Sequence, residues 1–137
     1  MGVGHPNAIR RAARIADGWM GSGGSRIADF KASVPILKQE LEKAGRDPAT
    51  FPISKRVFMA VDERPAVARR ELNRWFTEVY HDPDGTDRSG LHGTPEQVAE
   101  RLEELVASGA NHLLLNPVSS HAEQLEAMAE LSGLKAG

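Results

Sequence analysis

Apolar residues recur every three or four positions over five stretches of the chain, which is the spacing of one buried helical face. The longest stretch contains Pro35, which predicts either a kink or a new helix that begins at Ser33 as its N-cap. The fourth follows Thr94-Pro95-Glu96-Gln97, where threonine caps the helix and glutamine closes a capping box. Five helices are therefore predicted, with apolar faces at residues 9–16, 27–41, 68–79, 98–106 and 125–129.

Three other segments have the composition of β-strands. Residues 53–61 are rich in β-branched and aromatic side chains without a breaker, so they predict the clearest strand. Residues 19–20 predict a very short strand, and residues 112–116, centred on three leucines, predict a buried one. Residues 81–93 are rich in Asp, Gly, Pro and Ser and predict a loop.

The resulting order is helix, strand, helix, strand, two helices, strand, helix, in a single domain of residues 1–137. Strands separated by helices predict an α/β fold with a parallel sheet and right-handed crossovers. Three parallel strands leave two edges unpaired, which α/β proteins avoid or cover. The pattern therefore predicts that part of the sheet is missing or is supplied by a partner.

Composition excludes several classes of protein. The 137 residues are too few for a complete eight-stranded β/α barrel of ~250 residues. A net charge of −2 provides no basic surface for nucleic acid or an anionic membrane. The absence of cysteine excludes a disulfide scaffold, a thiolate nucleophile and a cysteine-ligated zinc site. The longest apolar run, residues 57–61, is too short to span a membrane, and the first residues lack a secretion-signal pattern, so we expect a cytoplasmic protein.

Four short motifs stand out along nearly the whole chain: residues 8–19 (AIRRAARIADGW), 45–48 (GRDP), 93–99 (GTPEQVA) and 113–117 (LLLNP). In their order and spacing they resemble the luciferase-like flavin-dependent oxidoreductases, a superfamily that includes bacterial luciferase. Its members use flavin mononucleotide (FMN) or the deazaflavin coenzyme.

The resemblance implies a partial TIM (β/α) barrel of about three parallel strands with helices. It corresponds to the helix after the fifth strand, followed by strands six, seven and eight. We expect the barrel to be completed by homo-oligomerisation or by a separate N-terminal half. The implied function is the C-terminal part of a flavin- or deazaflavin-dependent oxidoreductase or monooxygenase, with FMN or the deazaflavin coenzyme as cofactor.

Two other functions stay open. One is a non-catalytic, self-associating remnant or flavin-binding protein, and the other is one subunit of a split enzyme. The sequence contains no evident Ser/His/Asp set, carboxylate pair or activated nucleophile. That fits a redox enzyme whose cofactor carries the chemistry, and it equally fits a protein without catalysis.

The first candidate cofactor site is the segment Gly2-Val3-Gly4-His5, which precedes the first helix. Glycines allow close backbone approach, and the start of a helix presents free N–H groups to an anion. The resemblance implies that this turn holds the cofactor phosphate through Gly2, Gly4 and His5, with Arg10 or Arg11 as additional candidates. The alternative is a plain strand-to-helix turn.

The start of the fourth helix is a second candidate anion site, at Gly93 and Thr94 with His92 beside it. The competing interpretation is a capped structural helix.

Two further segments follow predicted strands and could line the barrel mouth. Ser22, Gly23 and Gly24 predict a mobile loop over cofactor or substrate, or alternatively a flexible linker. Asn116 follows the last strand, where helix capping is the competing role. The five histidines lack metal-ligand spacing, so no metal site is predicted.

Overall fold

The computed structural model describes residues 5–131, which form a mixed α/β structure. Helices and strands alternate in the predicted order as far as residue 79. The described residues contain six helices and four strands: α1 (Pro6–Ile15), β1 (Trp19–Gly21), α2 (Ile27–Lys43), β2 (Ile53–Val61), α3 (Pro65–Val79), α4 (Gly85–Ser89), β3 (Leu91–Gly93), α5 (Pro95–Ala107), β4 (His112–Pro117) and α6 (His121–Leu131).

Strand β2 pairs with each of the other three strands. β1 runs parallel to it with Trp19 opposite Ile53, and β3 runs parallel to it with Met59 opposite Leu91. The residues that flank β4 also bond to β2. Asn111 N donates to Ile53 O at 2.9 Å, and Val118 N donates to Met59 O at 3.2 Å. Because both residue numbers increase together, β4 is also parallel to β2. The predicted α/β fold with a parallel sheet is confirmed.

The chain divides into two compact units. The first is Met1–Arg56 with Glu104–Leu114, and the second is Val57–Glu103 with Leu115–Gly137. In the first unit α1 and α2 pack together through their predicted apolar faces, and Trp19 stacks on Phe30 with ring centroids 5.5 Å apart. The buried helical residues there are Ile9, Ala12, Ala13, Phe30, Val34, Leu37 and Leu41.

Helix α2 continues through Pro35 as a single helix, so the predicted restart at Ser33 is wrong. The Ser33 hydroxyl donates to the carbonyl oxygen of Asp29, one turn earlier, at 2.7 Å, and does not cap a new helix. Proline removes one N–H from the helix, but Val34 and Leu37 on either side of it are fully buried. Apolar packing on both sides of the proline keeps the two halves in one helix.

In the second unit, α3 covers the later part of β2. Phe58 and Ala60 pack against Ala68, Leu72 and Phe76 of α3, all of them buried. These are positions of the predicted apolar face. Trp75 and Val118 border this cluster and are only partly buried.

Residues 81–93 are not the loop that their composition predicts, because they contain α4 and β3. A side chain at Gly85 would collide with the ring of Phe76, so only glycine permits this close approach of α4 to α3. Leu91 is fully buried in β3. Tight packing against α3 therefore orders a segment whose polar composition indicated exposure.

The prediction of a buried last strand is wrong for β4. Its residues are half-buried or exposed, and Leu114 keeps 39% of its surface accessible. The apolar composition of β4 predicts burial, so this exposure indicates that β4 lacks part of the packing that would bury it.

At each end of β2, a side-chain amide forms hydrogen bonds with backbone groups. At the start, Asn111 Oδ1 accepts from Ile53 N at 2.8 Å and Asn111 Nδ2 donates to Phe51 O at 3.0 Å. At the end, Gln124 Oε1 accepts from Val61 N at 2.9 Å and Gln124 Nε2 donates to Val61 O at 2.6 Å. Each amide does what a neighbouring peptide group does in a sheet. No sequence pattern indicated either role.

Replacing Gln124 by methionine should lower the free energy of unfolding by about 2 kcal/mol. The buried N–H and C=O of Val61 would lose both partners while the side-chain length is kept. The measurement is urea denaturation followed by circular dichroism. Gln39→Met, on the exposed face of α2, is the matched control and should change stability by no more than about 0.5 kcal/mol. Equal effects of the two substitutions would contradict a stabilising role for the hydrogen bonds between Gln124 and the backbone of Val61.

Candidate functional site

The first candidate site lies at the start of α1. His5 is the N-cap, and its Nδ1 accepts a hydrogen bond from the N–H of Asn7 at 3.2 Å. Pro6 occupies the first helical turn, where its missing N–H costs nothing. Gly2 and Gly4, which were expected to bind the phosphate with His5, lie outside the described residues.

Arg46 of the GRDP motif binds the C-terminal end of α1. Arg46 Nη1 donates to the carbonyl oxygens of Ala13 at 3.0 Å and Ala16 at 2.7 Å. Carbonyl groups at a helix C-terminus lack intrahelical partners and need such donors. The same guanidinium lies 4.8 Å from the centre of the Phe51 ring. In this structure Arg46 therefore positions the helix that carries the candidate site.

The electrostatics at the start of α1 suit an anion. Its first turn contains no acidic residue, and the helix dipole places partial positive charge there. Arg10 donates to Asn7 Oδ1 at 3.0 Å and keeps 54% of its side chain accessible. Part of its charge is offset by Glu40, whose carboxylate is 4.0 Å away.

The predicted glycine-serine loop forms a tight turn after β1. The carbonyl oxygen of Ser22 accepts from Ser25 N at 3.3 Å and from Ser25 Oγ at 2.8 Å. A Cβ added to Gly24 would meet no atom within 4 Å, so that side of the turn faces open space. Beneath the turn, β1 and α2 enclose a cavity of about 30 Å³, which is room for one water molecule.

Lys55 of β2 is the site residue that sequence reasoning missed. Its side chain is fully buried, and its Nζ donates to Ser22 O, to Ser25 O at 3.1 Å and to Ser25 Oγ at 3.1 Å. Burial lowers the pKa of Lys55 to about 8, and the nearby carboxylate of Asp29 opposes that shift. The available signal was a lysine at an alternating position between Ile53 and Val57 in the clearest strand.

At the start of α5 the predicted capping box is formed. Thr94 N donates to Gln97 Oε1 at 3.0 Å, and Gln97 N donates to Thr94 Oγ1 at 3.3 Å. Glu96 adds a carboxylate in the first turn, and hydrogen bonds with its own N–H and with the Thr94 side chain lower the pKa of this group. The chain's own oxygen atoms therefore occupy positions that an anion would need.

His92, next to this helix start, is partly buried in β3. Burial lowers the pKa of His92, and the positive charges of Arg101 and Arg69 lower it further, while Asp87 raises it. Arg69 itself is paired with both carboxylate oxygens of Asp87 at 2.8 Å. The lowered pKa favours the neutral imidazole of His92, which attracts an anion at Gly93 and Thr94 less than an imidazolium would.

The ends of β2 and β3 lie side by side in the second unit. Asp62 N donates to Gly93 O at 3.1 Å, and the Asp62 carboxylate accepts from the backbone and side chain of Arg64, which lowers its pKa. Asn116 is partly buried near the end of β4. Of the predicted residues, His5, Ser22, Gly23 and Gly24 fall in the first unit, whereas Gly93, Thr94 and Asn116 fall in the second.

Residues 5–131 lack both a metal-binding cluster and a membrane-spanning helix. No group of three His, Asp or Glu side chains is arranged to hold a metal ion. None of the described helices combines the length and the apolar character needed to cross a membrane.

Solved structures with this fold include coenzyme-dependent oxidoreductases. An F420-dependent secondary alcohol dehydrogenase matches with a TM-score of 0.76 and 18% identity, over 96% of this chain and 47% of its own. The F420-dependent tetrahydromethanopterin reductase of Methanopyrus kandleri matches with a TM-score of 0.75 and 15% identity, over 98% of this chain and 50% of its own. Flavoprotein 390 matches with a TM-score of 0.77 and 14% identity, over 96% and 62%. The likeness confirms the partial β/α barrel, and the chain spans about half the length of the first two structures.

A family comparison of the sequence agrees with the fold. Residues 1–90 of the 137 match the model of the family described as luciferase-like monooxygenase. That match covers well over half of the chain, including the GRDP motif and the helix that precedes β1. The chain therefore belongs to the luciferase-like monooxygenase family.

Proposed function

We propose that this chain is the C-terminal part of a flavin- or deazaflavin-dependent oxidoreductase and that it binds the cofactor phosphate at the start of α1. Family membership supports the oxidoreductase class, and the names of two similar structures include the F420 coenzyme. The bound cofactor would supply the ring that accepts or donates a hydride or electrons. This chain's residues would hold and orient its phosphate.

We choose the N-terminus of α1 over that of α5 because their charges differ. The first turn of α1 contains no acidic residue and has Arg10 beside it, whereas the first turn of α5 contains Glu96 and a closed capping box. A phosphate is attracted to the first and repelled by the carboxylate at the second. His5, with Gly2 and Gly4 preceding it, is thus proposed as the phosphate segment in preference to Gly93 and Thr94.

Titration of the purified chain with FMN and with the deazaflavin coenzyme, followed by fluorescence, tests this proposal. We expect saturable binding of one of them in the micromolar range. Riboflavin, which has the same ring as FMN but no phosphate, should bind about tenfold more weakly than FMN if FMN is the ligand. Absence of binding to a folded sample would overturn cofactor binding by this chain, and equal affinity for FMN and riboflavin would overturn the phosphate contact.

Two isosteric substitutions distinguish the helix starts. Asn7→Asp adds a negative charge to the first turn of α1 and should weaken binding of the cofactor about tenfold. Gln97→Glu adds the same charge to the first turn of α5 and should leave the affinity unchanged. Negative charges at helix N-termini stabilise helices, so neither variant should melt at a lower temperature. The reverse order of affinities would place the phosphate at α5.

We further propose that β4 is covered by other strands of the barrel, from a second copy of this chain or from a separate N-terminal half. The incomplete burial of β4, and of Leu114 in particular, supports this. The chain also spans only about half of the first two similar structures.

Native mass spectrometry of the purified chain tests that proposal. A homo-oligomer is expected if a second copy covers β4, and a monomer that aggregates is expected if a different polypeptide does so. A stable, soluble monomer that binds the cofactor would contradict both forms of the proposal.

A further inference from the structure

Lys55 occupies a place in the first unit where an apolar side chain would fit. It lies between Ile53 and Val57, which are buried like itself. Its aliphatic part fills space left by Gly21, because a Cβ on that glycine would lie 3.0 Å from Lys55 Cδ. The stem of the lysine is thus packed as a hydrocarbon.

The polar end of the same side chain contacts both ends of the turn at 22–25. The ammonium group has three N–H donors, and three oxygen atoms surround Nζ: Ser22 O, Ser25 O and Ser25 Oγ. These are the residues that also hydrogen-bond to each other across the turn. Lys55 therefore ties the two ends of the turn to β2.

Stability alone does not account for a lysine at this position. Removing an ammonium group from water disfavours its charged form, and burial lowers the pKa of Lys55 accordingly. Replacing buried charged groups by apolar residues of similar volume is often neutral or stabilising. The distinctive contribution of the lysine is the position that it imposes on the turn.

We propose that Lys55 is a positioning residue that holds the turn at 22–25 in one conformation, so that Gly24 forms part of a fixed wall for the bound cofactor or substrate. This rests on the proposed function, because the turn follows a barrel strand, where ligands bind. Gly24 faces open space, and Gly23 is buried within the turn. The turn acts as a rigid wall, in contrast to the mobile loop that its glycine content predicts.

Hydrogen–deuterium exchange of the full chain, in the absence of cofactor, tests the role of Lys55. In Lys55→Met, amides of residues 22–26 should exchange at least about tenfold faster than in the unmodified chain, because hydrogen bonds to a charged group are lost. The melting temperature should be unchanged or higher. Lys38→Met, an exposed position on α2, is the matched control and should change neither quantity.

Cofactor affinity provides the functional readout. If the turn is a wall of the site, Lys55→Met should bind FMN or the deazaflavin coenzyme several-fold more weakly at an undiminished melting temperature. Unchanged exchange at residues 22–26 would overturn the positioning role, and faster exchange with unchanged affinity would overturn the wall. If the unmodified chain binds neither cofactor, the proposed function fails, whereas the exchange experiment still decides whether Lys55 holds the turn.

A second variant covers the case in which Lys55→Met does not fold. Ser25→Ala removes one acceptor of Lys55 and the hydroxyl bond to Ser22 while leaving the lysine in place. Exchange at residues 22–26 should then rise several-fold, and no change in that segment would overturn the proposal.

Discussion

The structure depends on satisfying the backbone hydrogen bonds of β2. A buried strand cannot leave its N–H and C=O groups unpaired, since each loses its bonds to water on burial. β2 meets this requirement with three strands and two side-chain amides, Asn111 at its start and Gln124 at its end. The positions of β1, β3 and β4 follow from this pairing. So do the turns that follow those strands.

The same strand links the fold to the candidate site, because it carries Lys55. Its buried ammonium group binds the turn after β1, and that turn has a cavity beneath it and open space above Gly24. The start of α1, in the same unit, is held from its far end by Arg46. Both parts of the proposed site are thus positioned by basic side chains that donate to backbone carbonyl oxygens. Neither side chain needs to contact the cofactor to influence how it binds.

Much of the fold was predictable, and less of the site. The apolar faces of α1 and α2, the strand at 53–61 and the capping box of Thr94 and Gln97 appear as predicted. The face of α3 does so except at Val79, which is exposed at the end of that helix. The resemblance carried by the four sequence motifs identified the family and the partial barrel. The anion site at Gly93 and Thr94 was a reasonable expectation from a helix start. The carboxylate of Glu96, which the sequence shows, and the lowered pKa of His92 both disfavour an anion there, and of these two only the pKa shift depends on three-dimensional surroundings.

The sequence by itself determined the helices and strands with strong periodicity, because local spacing decides which face of an element is apolar. It also determined the α/β class and, through the family resemblance, the partial barrel. Only the tertiary structure decided that residues 85–93 are ordered, because the contact of Gly85 with Phe76 joins segments that composition treats as unrelated. Likewise, Lys55 and Gln124 bond to residues 30 or more positions away. A polar residue's role depends on which partners folding brings within hydrogen-bond distance, and a one-dimensional pattern does not contain those distances.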